Sequence, residues 1–312
     1  MIKKSSGIPS HYYNETVDYV KYHRGQPLQL LDPKLPFMLT KFELMNDSGQ
    51  ADYPHRHDFY EILYITEGEG THVIDFEAYP IFPYSFYFLS KNQVHFWQLK
   101  TPLKGYALLF PEEFLGFPSS NIVRAHDFSF FHNVGHAPCL SVDQVQSKMI
   151  DGLLEGMEQE FNNDMESSLS VLRAYLHILL TQLNRLYTLD HASEGAETGS
   201  SLVRQFEQLV AAHFISDHAV QDYARRIGIS TSHLTDTVKA VTGRAPGHII
   251  RDKLILEAKR LLAHSNITAA EIGYRLHFDD SSYFGRFFKR ETGMSPTAFR
   301  QYILEQYQVS PK

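Results

Sequence analysis

Residues 228–234 read Gly228-Ile229-Ser230-Thr231-Ser232-His233-Leu234, followed by Val238-Lys239, Thr242-Gly243 and Pro246. Further on the chain reads Phe278, Ser281-Ser282-Tyr283-Phe284, Phe288-Lys289, Thr292-Gly293 and Pro296. From Ser232 and Ser282 onward the offset stays at 50, pairing Lys239 with Lys289, Gly243 with Gly293 and Pro246 with Pro296. A fixed offset of this length marks one supersecondary unit written twice. Each copy holds a short helical pattern, a tight turn, and a second helical pattern stopped at Thr-Gly. That is a helix-turn-helix, and two in tandem suit a long DNA site.

The same stretch resembles the C-terminal signature of AraC-type bacterial transcription regulators. The resemblance rests on Ile272, Phe278, Asp280, Ser282-Tyr283-Phe284, Arg286-Phe287-Phe288-Lys289, Thr292-Gly293, Ser295-Pro296 and Arg300. It covers roughly the last hundred residues, with far more fixed positions than a lone helix-turn-helix match.

Within the first copy, Leu234 and Val238 lie one helical turn apart and are expected in the core. Ser232, Thr235, Asp236 and Lys239 then face outward, toward a major groove. Asp236 departs from the resemblance, which implies a basic residue there; a carboxylate repels phosphate but accepts from cytosine N4. Pro246 fits the first turn of a connecting helix to His264, and 19 residues span roughly 28 Å, near one turn of DNA. Thr268 and Glu271 form a capping box. His277 stands where the family usually has glycine, at a cost of around 1 kcal/mol if the turn needs positive φ. Asp279 or Asp280 is expected to cap the second recognition helix, with Phe284, Phe287 and Phe288 buried. That leaves Ser281, Ser282, Arg286, Lys289 and Arg290 for DNA, Arg286 for guanine or phosphate and the other two cations for phosphate.

The 312 residues carry a net charge of −7, which alone argues against nucleic acid. The charge is divided unevenly. Residues 201–312 hold 15 basic and 11 acidic side chains, a balance of +4, and residues 1–200 hold 14 and 25, a balance of −11. A basic module behind an acidic one is expected when one domain meets phosphate. The single cysteine, Cys139, excludes an intramolecular disulfide and fits a reducing cytosol. The N-terminus has no apolar run of the signal-peptide kind, and Leu169–Leu186 carries Arg173, His177 and Arg185, too polar to span a membrane. A cytoplasmic location follows as the expectation.

From Phe37 to about Phe110 short β-rich runs alternate with turn residues: Met38–Leu44, Tyr60–Thr66, His72–Phe76, Ser85–Leu89, Val94–Leu99 and Tyr106–Phe110. This spacing predicts a β-sandwich or barrel. Gly49, His55, His57, Glu61 and Gly68 match the first cupin motif at every position. The second motif is degraded, with His95 in place but Ser90 and Asn92 where Pro and Gly belong. Cupins that hold a metal use the two histidines, the glutamate and the second-motif histidine, so the resemblance implies His55, His57, Glu61 and His95 as candidate ligands for a divalent metal. In AraC-type sensors the same fold generally serves as a small-molecule pocket without metal. The same four residues, with Trp97, are then the candidate effector contacts. His55, His57 and Glu61 share parity, as do His95 and Trp97. No cofactor is expected under this second reading.

Two helical patterns follow. The first starts near Ser141 and places Val142, Val145, Met149, Leu153, Met157 and Phe161 on one face. The second, Leu169, Leu172, Leu176, Leu179, Leu183 and Leu186, steps 3, 4, 3, 4, 3, the seam of a coiled coil. Such a helix could pack on its own domain instead, but the resemblance implies dimerisation through it, and a homodimer is the expectation. Residues 190–200 are small and polar and read as a linker.

The expected fold is therefore multi-domain α+β. A cupin-like β-sandwich or barrel sensor spans 1–140, a helical dimerisation segment 141–189, a linker 190–200, and an all-α tandem helix-turn-helix domain 201–312. The expected function is a sequence-specific DNA-binding regulator, not an enzyme, controlled by a small-molecule effector with sugars among the candidates. Its partners are double-stranded DNA, the effector, a second copy and, for an activator, RNA polymerase; no membrane is involved. The rival reading is a metal-dependent cupin enzyme fused to a DNA-binding domain.

Overall fold

The computed structural model describes residues 10–11, 37–44, 54–116, 125–131, 137–163, 168–190, 200–264 and 267–306. Gly49, His132, His136 and most of the expected linker lie outside these. The described residues fall into two compact units, one within 10–190 and one within 200–306.

The first unit is built on a five-stranded antiparallel sheet. Its strands are β2 (Met38–Lys41), β4 (Tyr60–Glu67), β7 (Ser85–Leu89), β9 (Lys104–Phe110) and β10 (Cys139–Ser141), in the order β10-β7-β4-β9-β2. A second sheet has the order β6-β5-β8, from β5 (Gly70–Ile74), β6 (Glu77–Ile81) and β8 (His95–Leu99). A two-residue parallel pair joins β1 (Ser10–His11) to β3 (Arg56–His57).

Side-chain alternation assigns the faces. Leu39, Ile62, Tyr64, Phe86, Phe88, Leu108 and Phe110 point to a helical layer, and Leu63, Ile65, Tyr87, Leu89, Ala107 and Leu109 point to the second sheet. At Ile65 the β4–β9 ladder shifts register opposite Gly105 (φ +125°), where any Cβ would collide with the Tyr64 carbonyl oxygen.

Six of the expected strands are present within a residue or two, and Phe42–Leu44 turns into a 3₁₀ segment. β6 was not foreseen. It contains Pro80, which removes a ladder donor and is tolerated because β6 is an edge strand.

The helical layer is α1 (Gln144–Phe161) and α2 (Ser168–Asp190). Asp143 caps α1, accepting from the Val145 and Gln146 amides at 2.8 Å, while the Gln146 side chain accepts from the Asp143 amide. The buried face of α1 is Ser147, Ile150, Leu154 and Met157, whereas Val145 is 79% and Met149 41% exposed. Of the expected stripe, Val142 and Met157 are buried and Leu153 and Phe161 pack against the core, while Val145 and Met149 face outward and Ile150 and Leu154 are buried instead. Two stripes of helical period overlap here, and the sheet takes the one led by small Ser147. Glu158 fastens α1 to the sheet through Lys41 Nζ at 2.7 Å and the Tyr106 hydroxyl at 3.3 Å.

The leucine seam also needs correction. Leu172, Leu176, Leu179 and Leu183 are fully buried within their own chain, in the core formed by α1 and the five-stranded sheet, and Leu169 and Leu186 pack at its edge. Four polar ties fix this placement. Arg173 Nε donates to the Phe114 carbonyl, His177 Nε2 to Leu115, Tyr187 Oη to Ala137, and Asn184 Oδ1 accepts from the Ser129 amide. A 3-4 repeat reports only that one face is buried. The partner here is the sheet rather than a second α2.

The second unit is all-α: α3 (Ser200–His213), α4 (Val220–Ile227), α5 (Thr231–Thr242), α6 (Pro246–His264), α7 (Ala269–Arg275), α8 (Ser281–Thr292) and α9 (Pro296–Gln306). The α4–α5 turn holds Gly228 at φ +82°, and the α7–α8 turn holds His277 at φ +57°. Arg300 on α9 donates to the Leu262 and Ile267 carbonyls, tying the end of α6 to the last helix.

Two stability outcomes follow. Leu176→Ala should destabilise the first unit by about 2–5 kcal/mol, the range for a buried leucine. Loss of a dimer with no loss of stability would contradict this packing. His277→Gly should stabilise the second unit by about 0.5–1 kcal/mol, since the left-handed conformation costs an L-residue ~1–2 kcal/mol and glycine's unfolded freedom returns part of that. Urea unfolding of both proteins measures it, and a lower midpoint for the glycine variant would be the contrary result.

Candidate functional site

The cupin-like residues meet where the two sheets face each other. Backbone bridging between His55 and His95 (N to O 3.1 and 2.9 Å in the two directions) brings the two motifs together. Asn92 adopts φ +64° where cupins have glycine, a conformation that asparagine tolerates. Its amide donates to the His57 carbonyl at 2.8 Å, so the turn is kept although its sequence has drifted.

His57 (1% exposed), Glu61 (8%) and His95 (3%) converge, their donor atoms all within 4.8 Å of one another. His57 Nδ1 lies 2.9 Å from the Phe59 carbonyl and must donate to it, because a carbonyl only accepts. A neutral His57 therefore turns its Nε2 lone pair toward Glu61 Oε2, 3.2 Å away. Two facing lone pairs are stable only with a shared proton or a cation between them. His95 Nε2 stands 3.8 Å from the same carboxylate oxygen. His55 is buried beside the group, its ring 4.1 Å from that of His95 and 6.5 Å from that of His57.

His72, not singled out in the sequence, supports the cluster from β5. Its Nε2 lies 3.0 Å from His95 Nδ1, so one proton is held between the rings. Complete burial, with His55 and His57 nearby, pushes the His72 pKa well below the usual imidazole value and keeps it neutral. Its parity with Ile74, on the inward side of β5, was the available signal. Trp97 pairs with His72 across the sheet and stacks on it at 3.7 Å. Phe42 and Tyr87 meet the indole edge-on, and Trp97 is only 5% exposed, so His72 covers one face of the ring expected to stack on an effector.

In the second unit the two recognition helices bury the expected residues, Leu234 and Val238 on α5 and Phe284, Phe287 and Phe288 on α8. Ser232, Asp236 and Lys239 are exposed on α5, and Ser282, Arg286, Lys289 and Arg290 on α8; Thr235 and Ser281 are half-buried. The Thr235 hydroxyl is spent on the Thr231 carbonyl at 2.8 Å, which reduces its use toward a base. Arg286 stands 3.8 Å from Asp280, and Arg290 2.6 Å from Glu291. Exposed pairs of this kind are worth ~0–1 kcal/mol and yield readily to phosphate or guanine. Asp280 caps α8 at the Ser282 amide.

The geometry defines a class: a β-rich binding unit joined to a tandem helix-turn-helix unit. Residues 46–174 match the family described as "AraC-like ligand binding domain", and residues 223–302 match "Helix-turn-helix domain". The chain is an AraC-type transcription regulator with a ligand-binding N-terminal domain. It is 26% identical over 293 residues to the HTH-type transcriptional activator RhaS of Escherichia coli (strain K12 / DH10B), covering 92% of this chain and 96% of RhaS. Among solved structures, the C-terminal domain of AraT, a response regulator from Geobacillus stearothermophilus, is 27% identical, with TM-score 0.32 over 34% of this chain and 88% of that one. Unsaturated fatty acid bound ToxT from Vibrio cholerae is 13% identical, with TM-score 0.39 over 85% and 94%. Among the described residues no helix is long and apolar enough to cross a membrane.

Arg286→Ala should weaken binding to a duplex that the wild type retards by about 1–3 kcal/mol without unfolding the chain. Lys289→Ala should instead weaken all sequences alike and reduce the salt dependence by about one ion. Gel-shift titrations at several salt concentrations separate the two, and unchanged affinity in Arg286→Ala would refute its role.

Proposed function

We propose that the first unit senses a small polyhydroxylated effector of the sugar class, held by His57, Glu61 and His95 with His55 at the margin. The observation that carries this reading is the convergence of a carboxylate and two imidazoles, acceptor and donors together, in a layer otherwise built of aliphatic and aromatic side chains. Such a set suits hydroxyl groups, and its burial makes an unfilled hydrogen bond costly. The effector shifts the population of DNA-competent arrangements by binding one more tightly than another. The chain does no chemistry on it. Double-stranded DNA is the output partner, met in the cytoplasm. The likeness to the activator RhaS supports activation and contact with RNA polymerase. A homodimer belongs to this reading through surfaces other than Leu172, Leu176, Leu179 and Leu183, which are used within the chain.

A second reading has its own observation, the His57 Nε2 lone pair turned to Glu61. The donor set of His57, Glu61 and His95 fits a divalent ion such as Fe(II), Mn, Zn or Ni. When bound, such an ion would act as a Lewis acid on an effector oxygen, while His72 would orient His95 from behind.

A melting screen against sugars and sugar acids distinguishes these. A ligand-induced shift in the wild type, absent in Glu61→Ala while DNA retardation is retained, is the expected result. The same shift in both proteins would remove Glu61 from the site. Stoichiometric metal by elemental analysis, retained through chelator dialysis and lost in His57→Ala, would replace the metal-free reading.

A further inference from the structure

The two recognition helices are the same object placed twice in the sequence. α5 and α8 each have 12 residues and start exactly one repeat apart, at Thr231 and Ser281. Each is capped by the side chain before it, Ser230 on the His233 amide and Asp280 on the Ser282 amide. Each ends at a left-handed glycine, Gly243 (φ +69°) or Gly293 (φ +80°), whose amide donates to the lysine carbonyl four residues back, Lys239 or Lys289. Leu234 matches Phe284 and Val238 matches Phe288 in the core. In this frame Asp236 and Arg286 occupy one position, the sixth residue of the helix, and both are exposed.

We propose that this shared position is the main base-reading position of both motifs, with opposite polarity: Asp236 selects cytosine and Arg286 selects guanine. The inference rests on the DNA-binding function stated above. A carboxylate only accepts hydrogen bonds, and the major groove offers it two donors, cytosine N4 and adenine N6. The adenine amino group stands between two acceptors, its own N7 and thymine O4, which repel a carboxylate, whereas the cytosine amino group has an acceptor, guanine O6, on one side only. Arginine only donates and meets O6 and N7 of guanine with both arms. Among the described residues no ion pair engages Asp236. The Ser232 hydroxyl, 3.4 Å from Oδ2, steadies it and leaves the other oxygen for a base.

The charges around the two positions support a division of labour. On α5, Asp236 and Lys239 cancel. On α8, Arg286, Lys289 and Arg290 outweigh Glu291 by two. The lysines shared by the copies are placed for phosphate in both motifs. α8 then supplies most of the attraction to the duplex, and α5 gives up attraction in exchange for rejecting the wrong base.

Selection from random-sequence duplexes by the full-length chain tests this. The wild type should enrich a site with a cytosine and, about one helical turn away, a guanine. Asp236→Ala should flatten only the cytosine position, lowering its preference by roughly 5- to 100-fold in competition titrations. Asp236→Asn should move that position to adenine, the base an asparagine amide reads. Binding of Asp236→Ala to mixed-sequence DNA should be no weaker than wild type. The proposal fails if both variants enrich the wild-type site with its cytosine intact. It also fails if both lose all enrichment while circular dichroism is unchanged, since Asp236 would then be a general contact. No enrichment by the wild type would defeat the DNA-binding assignment itself.

Discussion

Strand β4 has no solvent face, and most of the first unit follows from that. Ile62, Leu63, Tyr64 and Ile65 are each at most 1% exposed, so one side of the sheet must be covered by helices and the other by a second sheet. The helical side consumes Leu172, Leu176, Leu179 and Leu183 of α2 and leaves only the partly buried Leu169 and Leu186 at the edge of the core. The other side places Glu61, which shares parity with Leu63 and Ile65, in the layer between the sheets. A carboxylate there is costly unless it is compensated. His57 at 3.2 Å and His95 at 3.8 Å are the compensation. The polar cluster is therefore imposed by the same alternation that builds the core, and its three members are coupled because each removes the others' burial cost.

The second unit depends on a different constraint, the reversal of the chain after a short helix. Gly228, Gly243 and Gly293 take left-handed φ without penalty, and His277 takes it at a cost. Keeping a strained residue at one of two equivalent turns is tolerated because the α7–α8 pair is held elsewhere. Gly273 admits Phe284 so closely that a Cβ would stand 3.0 Å from that side chain, and Phe278, Phe284 and Phe287 pack ring against ring. Arg300 closes the same end of the unit. Aromatic packing offsets the turn, so the second motif can carry three cations on its outer face and still fold.

The sequence was legible wherever a local rule and the tertiary environment agreed. The 50-residue offset located both recognition helices and their buried faces, because caps and turns are written in adjacent residues. The alternating strands were legible for the same reason, whereas the grouping of His57, Glu61 and His95 came from the cupin resemblance, with shared parity supporting only the first-motif residues. What escaped was partner identity. The 3-4 leucine repeat of α2 is the same string whether it meets a second helix or a sheet, and only the aromatic undersurface of the sheet decides. Within the α1 stripe only Val145 and Met149 were misplaced, because they compete with Ile150 and Leu154 at the same period. His72 escaped because its parity with Ile74 marks it only as inward-facing, and its partners Trp97 and His95 come from another strand. Trp97 was placed inside correctly, but its contact with His72 depends on register between strands, which no single strand encodes.

These features make the two halves of the chain electrostatically complementary in task. Residues 1–200 carry the acidic balance of the chain, and the first unit buries one carboxylate among imidazoles. Any occupant of that cluster must redistribute their protons. On the proposed reading, a hydroxylated effector would do so by donating to Glu61 while accepting from an imidazole. The contacts available to carry such a rearrangement are those of His95 with His72, of His72 with Trp97, and of the His57 carbonyl with the Asn92 amide. On that reading the site would sense its ligand with groups that also hold the two sheets together. A small change in hydrogen bonding there acts on the packing between layers rather than on a surface loop, which is the requirement for a sensor whose output lies in another part of the chain.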